Sequence, residues 1–577
     1  MTAASPTLRR AGARALPAGA AGRYWLAVGV LTLVAAGLRI PSLGGPSLWF
    51  DEAVTLSLVR RDLGSMLALL AESESTPPLY YLVAWAWARL AGDSEAMVRG
   101  LSALAGVAVV PVAYAAGARL ATRRVGFALA AVCSVSPLLV WHSQDARAYS
   151  LLVLLSALTL LAVGRAADAG RGRDLAAWAI ASILALATHY FAVFLVLGEA
   201  IWLLARVRRR RRVALAAGAV VAAAAALAPL ALQQRGYGGA AWLAARGLGG
   251  RVESLWTHFA AGYGSAPAEI SSYELPTPTG LTIAAAVLAG VAIVLAVALA
   301  FAGRWLGGSA AGERSPGADA VRGERRGLAA AAVLVATAIG LPLLLALAGT
   351  DYVFSRNLLP GWLALALAVV LGVGARRAGA AGAALGLALC GVLAAITLSA
   401  AAAPRTGPDD WSRVGRALGD PREARVVQAP AAIAMPLALD RPGLVTVAAA
   451  GRRVREVVVL LRGARRHRRR PPAPGFELLG RRTVGRSFTL FRYRSARPAL
   501  VTPGTITLDK PLRQRRTAVL LDDVAAARRR PGGTEPPRLR FCAPATGELR
   551  VVSVTTACAE AFPRPRVGAP SRGATAR

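Results

Sequence analysis

Long apolar segments recur along the first 400 residues, and they constrain the fold more than any other feature of the chain. A helix needs about 20 mostly apolar residues to cross a bilayer, because the hydrocarbon core is about 30 Å thick. Candidate spans of this kind lie at 22–40, 97–118, 125–142, 146–166, 174–189, 190–206, 213–232, 279–303, 328–349, 357–375 and 378–400. The sequence therefore predicts a polytopic α-helical membrane protein with about eleven transmembrane helices.

Basic residues cluster beside alternate candidate spans. They precede the first span, form the unbroken run Arg208–Arg212 after the sixth, and follow the second, fourth, eighth and tenth. Because Lys and Arg are enriched in cytoplasmic loops, residues 1–21 are predicted to be a cytoplasmic tail before a transmembrane domain at 22–400. The outer loops are then 41–96, 143–146, 233–278 and 350–356.

The segment 77–91 is interpreted as an interfacial helix rather than a span. It is short, opens with two prolines, and carries the aromatic residues Tyr80, Tyr81, Trp85 and Trp87. Aromatic side chains favour the membrane–water interface. Counting this segment as a span would also place the basic cluster after the second span outside the cytoplasm.

Residues 401–577 form a polar, Arg-rich region punctuated by Pro and Gly. Short apolar runs typical of strands lie at 425–427, 457–461, 487–491 and 549–552. We predict an extracytoplasmic mixed α/β domain with a flexible tail. Cys542 and Cys558 within it either form a disulfide, which that location permits, or are a chance pair of free thiols.

The net charge of +37 is the kind of signal expected of a nucleic-acid-binding protein. Here it accompanies a chain that is 55% hydrophobic, and much of it comes from Arg in loops and in the last third. The apolar spans exclude a nucleic-acid binder, and the composition is that of an integral membrane protein with a soluble part.

Asp51 and Glu52 open the first outer loop, directly after Trp49 and Phe50. Two carboxylates at a membrane surface are costly unless they are solvated or used. An acidic pair in this position suggests catalysis on a lipid-linked substrate.

A second charged group lies in the turn between the third and fourth spans. Gln144, Asp145, Arg147 and Tyr149 follow one another closely there. Taken alone, the group is an ordinary solvated helix cap with a snorkelling Arg. Its location on the same membrane face as Asp51 favours a functional role.

Two further candidates lie in outer turns. Arg356 is the basic residue of the turn at 350–356, and its guanidinium suits phosphate oxygens; alternatively it is an interface anchor. His189, in the turn with Tyr190, is either a ligand-contacting residue or a satisfied polar side chain. Glu199 lies inside a predicted span, where a carboxylate either has a function or pairs with a polar neighbour.

Together these motifs resemble those of the GT-C glycosyltransferases, specifically bacterial relatives of the protein O-mannosyltransferases and the lipid A aminoarabinose transferases. The resemblance covers roughly 22–415. It rests on the order and spacing of Trp49-Phe50-Asp51-Glu52, Thr76-Pro77-Pro78-Leu79-Tyr80-Tyr81, Arg99 with Ser102-Ala103-Leu104, Gln144-Asp145-Ala146-Arg147-Ala148-Tyr149, Thr188-His189-Tyr190, Ser355-Arg356-Asn357-Leu358 and Asp410-Trp411.

The resemblance implies transfer of a sugar from a polyprenyl-phosphate donor on the outer face of a bacterial plasma membrane, usually with inversion. Asp51 then matches the acidic position of the first loop and Asp145 that of the second. Arg356 matches a basic position that faces lipid phosphate. The expected partners are the donor, membrane lipid, and a glycan, lipid or protein acceptor. Thr76 replaces a frequent His and Asn357 a frequent Tyr, which leaves the donor's identity open.

The residues themselves suggest a division of labour. Asp51 is the candidate base for an acceptor hydroxyl, with Glu52 orienting it or holding a cation, and Asp145 is the third catalytic candidate. Arg356 and Arg147 are candidates to neutralise the leaving phosphate. Gln144, Tyr149, His189 and Tyr80 are the remaining candidate contacts to lipid phosphate or sugar.

Several points stay open at this stage. A divalent cation between Asp51 and Asp145 is neither required nor excluded. A transporter or flippase of a lipid-linked sugar is the alternative function, with Glu199 as its one supporting feature, and an inactive membrane scaffold is a third. The sugar, the polyprenol, the acceptor, the oligomeric state and the role of the C-terminal domain are not determined.

Overall fold

The structure is a computed structural model. It describes residues 18–45, 47–236, 247–262, 279–305, 316–402, 411–441, 443–448, 450–462, 471–484, 488–502, 517–523, 539–542 and 550–553.

Helices dominate the chain up to Ala402. They are α1 (Ala18–Arg39), α2 (Phe50–Val59), α3 (Leu63–Ser73), α4 (Leu79–Ala91), α5 (Glu95–Leu120), α6 (Arg123–Val135), α7 (Pro137–Ser143), α8 (Tyr149–Ala169), α9 (Gly172–Thr188), α10 (Ala192–Arg206), α11 (Arg210–Gly236), α12 (Leu248–Ala261), α13 (Thr279–Trp305), α14 (Pro316–Val335), α15 (Leu341–Leu347), α16 (Leu359–Gly374) and α17 (Gly379–Ala402). A π-helical turn at Ala336–Gly340 joins α14 to α15.

Among the described residues, six helical stretches are long and apolar enough to cross a membrane: α5, α8, α11, α13, α14 continued by α15, and α17. The pair α6 and α7 makes a seventh if it is one span, and the two helices are bent by 58° at their break. This confirms a multi-pass helical protein. The predicted count of eleven is not established by helix length, because α9, α10 and α16 have only 17, 15 and 16 residues.

The predicted helix at 77–91 is present as α4. It has 13 residues and begins at Leu79, directly after Pro77 and Pro78. Proline has no backbone N–H to donate inside a helix, so prolines are expected at or before a helix start. Its buried face carries Tyr80, Tyr81, Ala84 and Ala88. The helix packs on α2 and α5, so it contacts the helix that carries the acidic pair.

The C-terminal region contains a six-stranded mixed sheet, as predicted. Its strands run in the order β2-β6-β1-β3-β5-β4; β1 and β3 are parallel and the other neighbouring pairs are antiparallel. The elements are α18 (Trp411–Leu418), β1 (Arg425–Pro430), α19 (Ala431–Asp440), β2 (Leu444–Thr446), β3 (Arg452–Arg462), β4 (Glu477–Val484), β5 (Phe488–Val501) and β6 (Thr517–Asp522), followed by the hairpin β7 (Leu539–Cys542) and β8 (Arg550–Ser553).

Each predicted strand run overlaps one of β1, β3, β5 and β8. Cys558 lies outside the described residues, so its proposed pairing with Cys542 stays a prediction.

The C-terminal region and the segment around α2 share one hydrophobic core. Leu48 and Ala53 from that segment are buried in the same cluster as Trp411, Leu437 and Leu520 from the C-terminal region. The Trp411 indole also donates a hydrogen bond to the Leu48 carbonyl, at 2.8 Å. Leu48, three residues before Asp51, is therefore held by the C-terminal region.

Candidate active site

Asp51 and Glu52 lie in the first turn of α2, where carboxylates are favourable because the helix dipole is positive at its N-terminus. The Glu52 carboxylate also accepts a hydrogen bond from the Trp49 backbone N–H at 3.2 Å, which caps the helix. Local helix chemistry thus explains why an acidic pair begins this element.

Glu52 is bound in a buried two-point ion pair with Arg99. Arg99 Nε and Nη2 each lie 2.6 Å from a different Glu52 oxygen, and the Ala146 N–H donates to Glu52 Oε1 at 3.0 Å. Arg99 also donates to the Leu43 carbonyl at 2.7 Å. Glu52 therefore ties α2 to α5 and to the turn that carries Asp145.

Arg147 has its own carboxylate partner. Its guanidinium forms a fork with Glu74, at 2.6 and 2.9 Å, and both side chains are buried. It also donates to the Asp51 carbonyl at 3.3 Å. Arg147 thus holds the start of α2 against the polar stretch before α4.

Asp145 is buried beside α2. The Trp49 indole N–H donates to its Oδ1 at 2.9 Å, and His142 Nδ1 lies 3.9 Å from its Oδ2. Burial raises the pKa of the Asp145 carboxyl to about 7, because desolvation disfavours the ionised form more than Trp49 and Arg147 favour it. The Asp51 charge adds to this rise, so the two carboxylates interact.

Asp51 pairs with Arg356 across the site. Arg356 Nη1 lies 3.1 Å from Asp51 Oδ2, and the two side chains are 23% and 19% exposed. Those of Glu52, Asp145 and Arg147 are 7% exposed or less. A carboxylate and a guanidinium thus face an accessible part of the site, 305 positions apart in sequence.

Tyr149 and His189 line the same cluster. The Tyr149 ring lies 4.8 Å from that of His142 and 6.1 Å from that of His189, between ring centroids. Both side chains are buried, and the Phe191 backbone N–H donates a hydrogen bond to His189 Nδ1 at 3.3 Å.

Gln144 and Tyr80 lie at the edges of this arrangement. The Gln144 amide donates to the carbonyls of Leu38 and Arg39 and to the Ser42 hydroxyl, which anchors the turn to the end of α1. Tyr80 is fully buried, and its ring packs edge-on against Tyr81 at 5.4 Å.

Among the residues that the structure describes, no group of three or more His, Cys, Asp or Glu side chains is arranged to hold a metal ion.

Four residues that complete the site were not among the sequence candidates: Trp49, Glu74, Arg99 and His142. Trp49 and Arg99 belong to the motifs that carry the family resemblance, and His142 lies three residues before Asp145. Glu74 carries no such signal in the sequence. It stands in a polar loop stretch, where a carboxylate is an ordinary residue.

A family model described as dolichyl-phosphate-mannose-protein mannosyltransferase matches residues 75–232. This match confirms the resemblance to the protein O-mannosyltransferases over that part of the chain. The matched part contains Arg99, Asp145, Arg147 and His189, whereas Asp51 and Arg356 lie outside it. A search of the curated proteins finds no match.

Solved structures of three such transferases are similar to this chain. The S. cerevisiae protein O-mannosyltransferase Pmt1-Pmt2 complex, bound to the sugar donor, is 18% identical, with 37% of this chain and 33% of that chain covered and a TM-score of 0.30. ArnT from Cupriavidus metallidurans, bound to undecaprenyl phosphate, is 15% identical, with 82% and 98% covered and a TM-score of 0.37.

The third is the Archaeoglobus fulgidus oligosaccharyltransferase tethered to an acceptor peptide. It is 11% identical, with 68% of this chain and 57% of that chain covered and a TM-score of 0.40. All three TM-scores lie below 0.5, too low to establish a shared fold. The chain spans about a third of the length of the yeast chain that it matches.

Proposed function

We propose that this protein transfers a sugar from a polyprenyl-phosphate donor to an acceptor hydroxyl on the extracytoplasmic face, with inversion of the anomeric centre. The observation that carries the proposal is the partly exposed Asp51–Arg356 pair, surrounded by buried polar residues that have partners of their own. A base and a phosphate-binding cation then stand side by side in one site.

Asp51 serves as the general base. Its carboxylate takes the proton from the acceptor hydroxyl as that oxygen forms a bond to the anomeric carbon. The bond between this carbon and the phosphate oxygen breaks, and its electron pair leaves with the polyprenyl phosphate. One displacement at carbon inverts its configuration, as in single-step inverting hydrolysis.

Arg356 stabilises the leaving group. Negative charge grows on the phosphate as the bond breaks, and a planar guanidinium binds two phosphate oxygens at once. Since Arg356 contacts Asp51 at 3.1 Å, an arriving phosphate competes for the same guanidinium. Donor binding thereby loosens the pair and frees Asp51 to accept a proton.

The neighbouring residues have supporting roles. Glu52 and Arg147 position α2 through Arg99 and Glu74 and do not touch substrate in this proposal. Asp145 is the second catalytic carboxylate, either as a charge beside the anomeric carbon or, with Asp51, as a ligand to a divalent cation. Tyr149 and His189 contact the sugar or phosphate, with Gln144 and Tyr80 at the edge.

The proposal includes the finer topology predicted above: eleven spans, a cytoplasmic N-terminus, an interfacial α4 and an extracytoplasmic C-terminal domain in a bacterial plasma membrane. This arrangement keeps the polyprenyl tail in lipid while its phosphate reaches the outer loops. It divides the chain into a cytoplasmic tail at 1–21, a transmembrane domain at 22–400 and an extracytoplasmic domain at 401–577.

Glu199 offers little support to the transporter alternative. It is fully buried between α8, α9 and α10, and its carboxyl group accepts hydrogen bonds from Thr159 at 2.6 Å and Trp178 at 2.9 Å. A carboxyl with two donors inside the bundle fits a packing role.

The decisive experiment compares wild type with Asp51→Asn in membranes supplied with radiolabelled polyprenyl-phosphate sugars. We expect Asp51→Asn to lose transfer by about 100-fold or more, since general base catalysis contributes about 10²–10⁴. The matched control is Asp93→Asn in the same outer loop, whose carboxylate pairs with Arg60 and is 45% exposed.

The control is expected to keep wild-type turnover. Equal turnover by Asp51→Asn and wild type would refute the assigned base. The anomeric configuration of the product, measured by NMR, tests inversion independently; a retained configuration would refute direct displacement.

A further inference from the structure

We infer that α12, in the outer loop at 233–278, is a latch that positions Arg356, with Arg251 and His258 as its positioning residues. This inference rests on the proposed role of Arg356 as the phosphate-binding cation.

One face of α12 is committed to protein contacts. Arg251, Leu255, His258 and Phe259 are buried, and their spacing places them along a single helical stripe. Trp256, on another face, is 60% exposed. A buried Arg and a buried His on this stripe are costly unless they bind something specific.

Arg251 binds the start of the segment that leads to Arg356. Its guanidinium forms a fork with Asp351, with Nη1 2.7 Å from Oδ1, and donates to the Val353 carbonyl at 3.1 Å. Asp351 in turn accepts from the Val353 N–H at 3.1 Å. These bonds fix the backbone of residues 351–353, which lead into the turn at 355–358.

His258 binds the residue directly before Arg356. Its Nδ1 lies 2.8 Å from the Ser355 hydroxyl oxygen. The centroid of the Phe354 ring lies 6.1 Å from that of the His258 ring and 5.5 Å from the Arg356 guanidinium carbon. Past Arg356, the Trp362 indole donates to the Phe259 carbonyl at 3.0 Å, so α12 holds the segment on both sides of the arginine.

The end of α12 also fits against α7, on the acidic side of the site. Gly262 has φ +74°, and a Cβ there would lie 3.2 Å from the Pro137 carbonyl carbon and 3.3 Å from the Leu138 nitrogen. Helix α7 leads through His142 to Asp145. The latch therefore contacts both the segment that carries Arg356 and the helix that precedes Asp145.

These contacts restrict the positions that the Arg356 guanidinium can occupy. The arginine is 23% exposed, and a long side chain on an unsupported turn would sample many positions. Holding Ser355 and Val353 restricts the backbone, so the guanidinium stays within reach of Asp51 and of the donor phosphate. Small displacements of such a group are costly, since misplacement by about 1 Å costs about 100-fold in rate.

The test uses Arg251→Gln, Arg251→Lys and Ser355→Ala, with Glu253→Gln on the exposed side of α12 as the matched control. The first measurement is amide hydrogen exchange of residues 351–358 in nanodiscs, which needs no substrate. We expect faster exchange in Arg251→Gln and Ser355→Ala and a wild-type rate in Glu253→Gln. Arg251→Lys should exchange at an intermediate rate, because Lys keeps the charge but cannot bind both carboxylate oxygens as a guanidinium does.

The second measurement is transfer kinetics in the wild-type and Arg356→Lys backgrounds. If the latch acts through Arg356, Arg251→Gln lowers kcat/KM for the donor by about 10-fold or more in the wild-type background. It then has little further effect in Arg356→Lys, because the two changes remove one interaction. A general loss of folding would instead add in both backgrounds.

Unchanged exchange of 351–358, or equal losses in both backgrounds, would overturn the inference. If the exchange follows the expected order but wild type transfers no sugar from any donor, the latch stands and the proposed function fails.

Discussion

At the scale of single residues, Asp145 is a carboxylate of the candidate site whose charge depends on pH close to neutrality. Burial raises its pKa to about 7, well above the ordinary value of 3.8. The proton is therefore bound more tightly in the folded protein than in the unfolded chain. Its contribution to stability is complete below about pH 4 and is lost as the pH rises to about 7.

We predict that Asp145→Asn removes this dependence. The amide oxygen of Asn keeps the hydrogen bond from Trp49 but carries no charge at any pH. The Tm of wild type in detergent, relative to that of Asp145→Asn, should fall between about pH 4 and pH 7 and then level off. A Tm difference that does not change with pH would contradict the prediction.

At the scale of elements, the bent pair α6–α7 sets the position of the Asp145 turn. Ser136 and Pro137 stand at the break, where proline ends the hydrogen-bonding pattern of the preceding helix. Arg39 of α1 compensates: it donates to the carbonyls of Cys133 at 2.9 Å and Ser134 at 2.8 Å and to the Ser143 hydroxyl at 3.1 Å. The bend is therefore braced on both sides.

Helix α6 also packs closely on α5, and Gly126 lies at this contact. A Cβ at Gly126 would lie 2.4 Å from the Tyr114 carbonyl oxygen and 2.7 Å from the Ala118 nitrogen, both backbone atoms. We predict that Gly126→Ala forces the helices apart and costs about 1–3 kcal/mol, as overpacking does. The lowered Tm should be visible in detergent.

Gly218→Ala on α11 is the matched control, because nothing lies within 4 Å of its added Cβ. It should be neutral or stabilising by up to about 1 kcal/mol, since Ala favours helix more than Gly does. Equal Tm values for Gly126→Ala and Gly218→Ala would show that α5 and α6 are not as close as described.

At the scale of the whole molecule, the C-terminal domain is part of the framework of the site. Trp411 is buried, and its ring lies 5.2 Å from that of Phe488 at an interplanar angle of 46°. Its indole donates a hydrogen bond to the Leu48 carbonyl, three positions before Asp51. The core that it joins extends from α2 to the sheet. Displacing the domain would therefore disturb the start of α2 directly.

We predict that Trp411→Ala destabilises this shared core by about 3–5 kcal/mol, as large-to-small core changes at Trp do. Amide exchange should rise in residues 47–60 and in the sheet together. Trp411→Phe should have a smaller effect, because it keeps a ring but leaves the Leu48 carbonyl without its donor. Leu479→Ala, at a side chain that is 63% exposed, is the control and should change neither region.

Much of the architecture follows from local pattern. Apolar runs of about 20 residues predict helices because each must satisfy its backbone inside lipid, and the strand runs of the C-terminal region recur as β1, β3, β5 and β8. The number of membrane spans is predicted less well by the same local pattern. Helices such as α9 and α10 are 17 and 15 residues long, so hydropathy alone does not decide whether they cross.

The sequence by itself determined which polar residues stand between the apolar segments and in what order, and this was enough for the family resemblance. Only the tertiary structure decided their partners. Asp51 and Glu52 are neighbours with the same chemistry, yet Asp51 meets Arg356 and Glu52 meets Arg99, 305 and 47 positions away. Arg147 likewise meets Glu74 across 73 positions. The physical reason is that an ion pair depends on distance and burial in space, which no local pattern encodes.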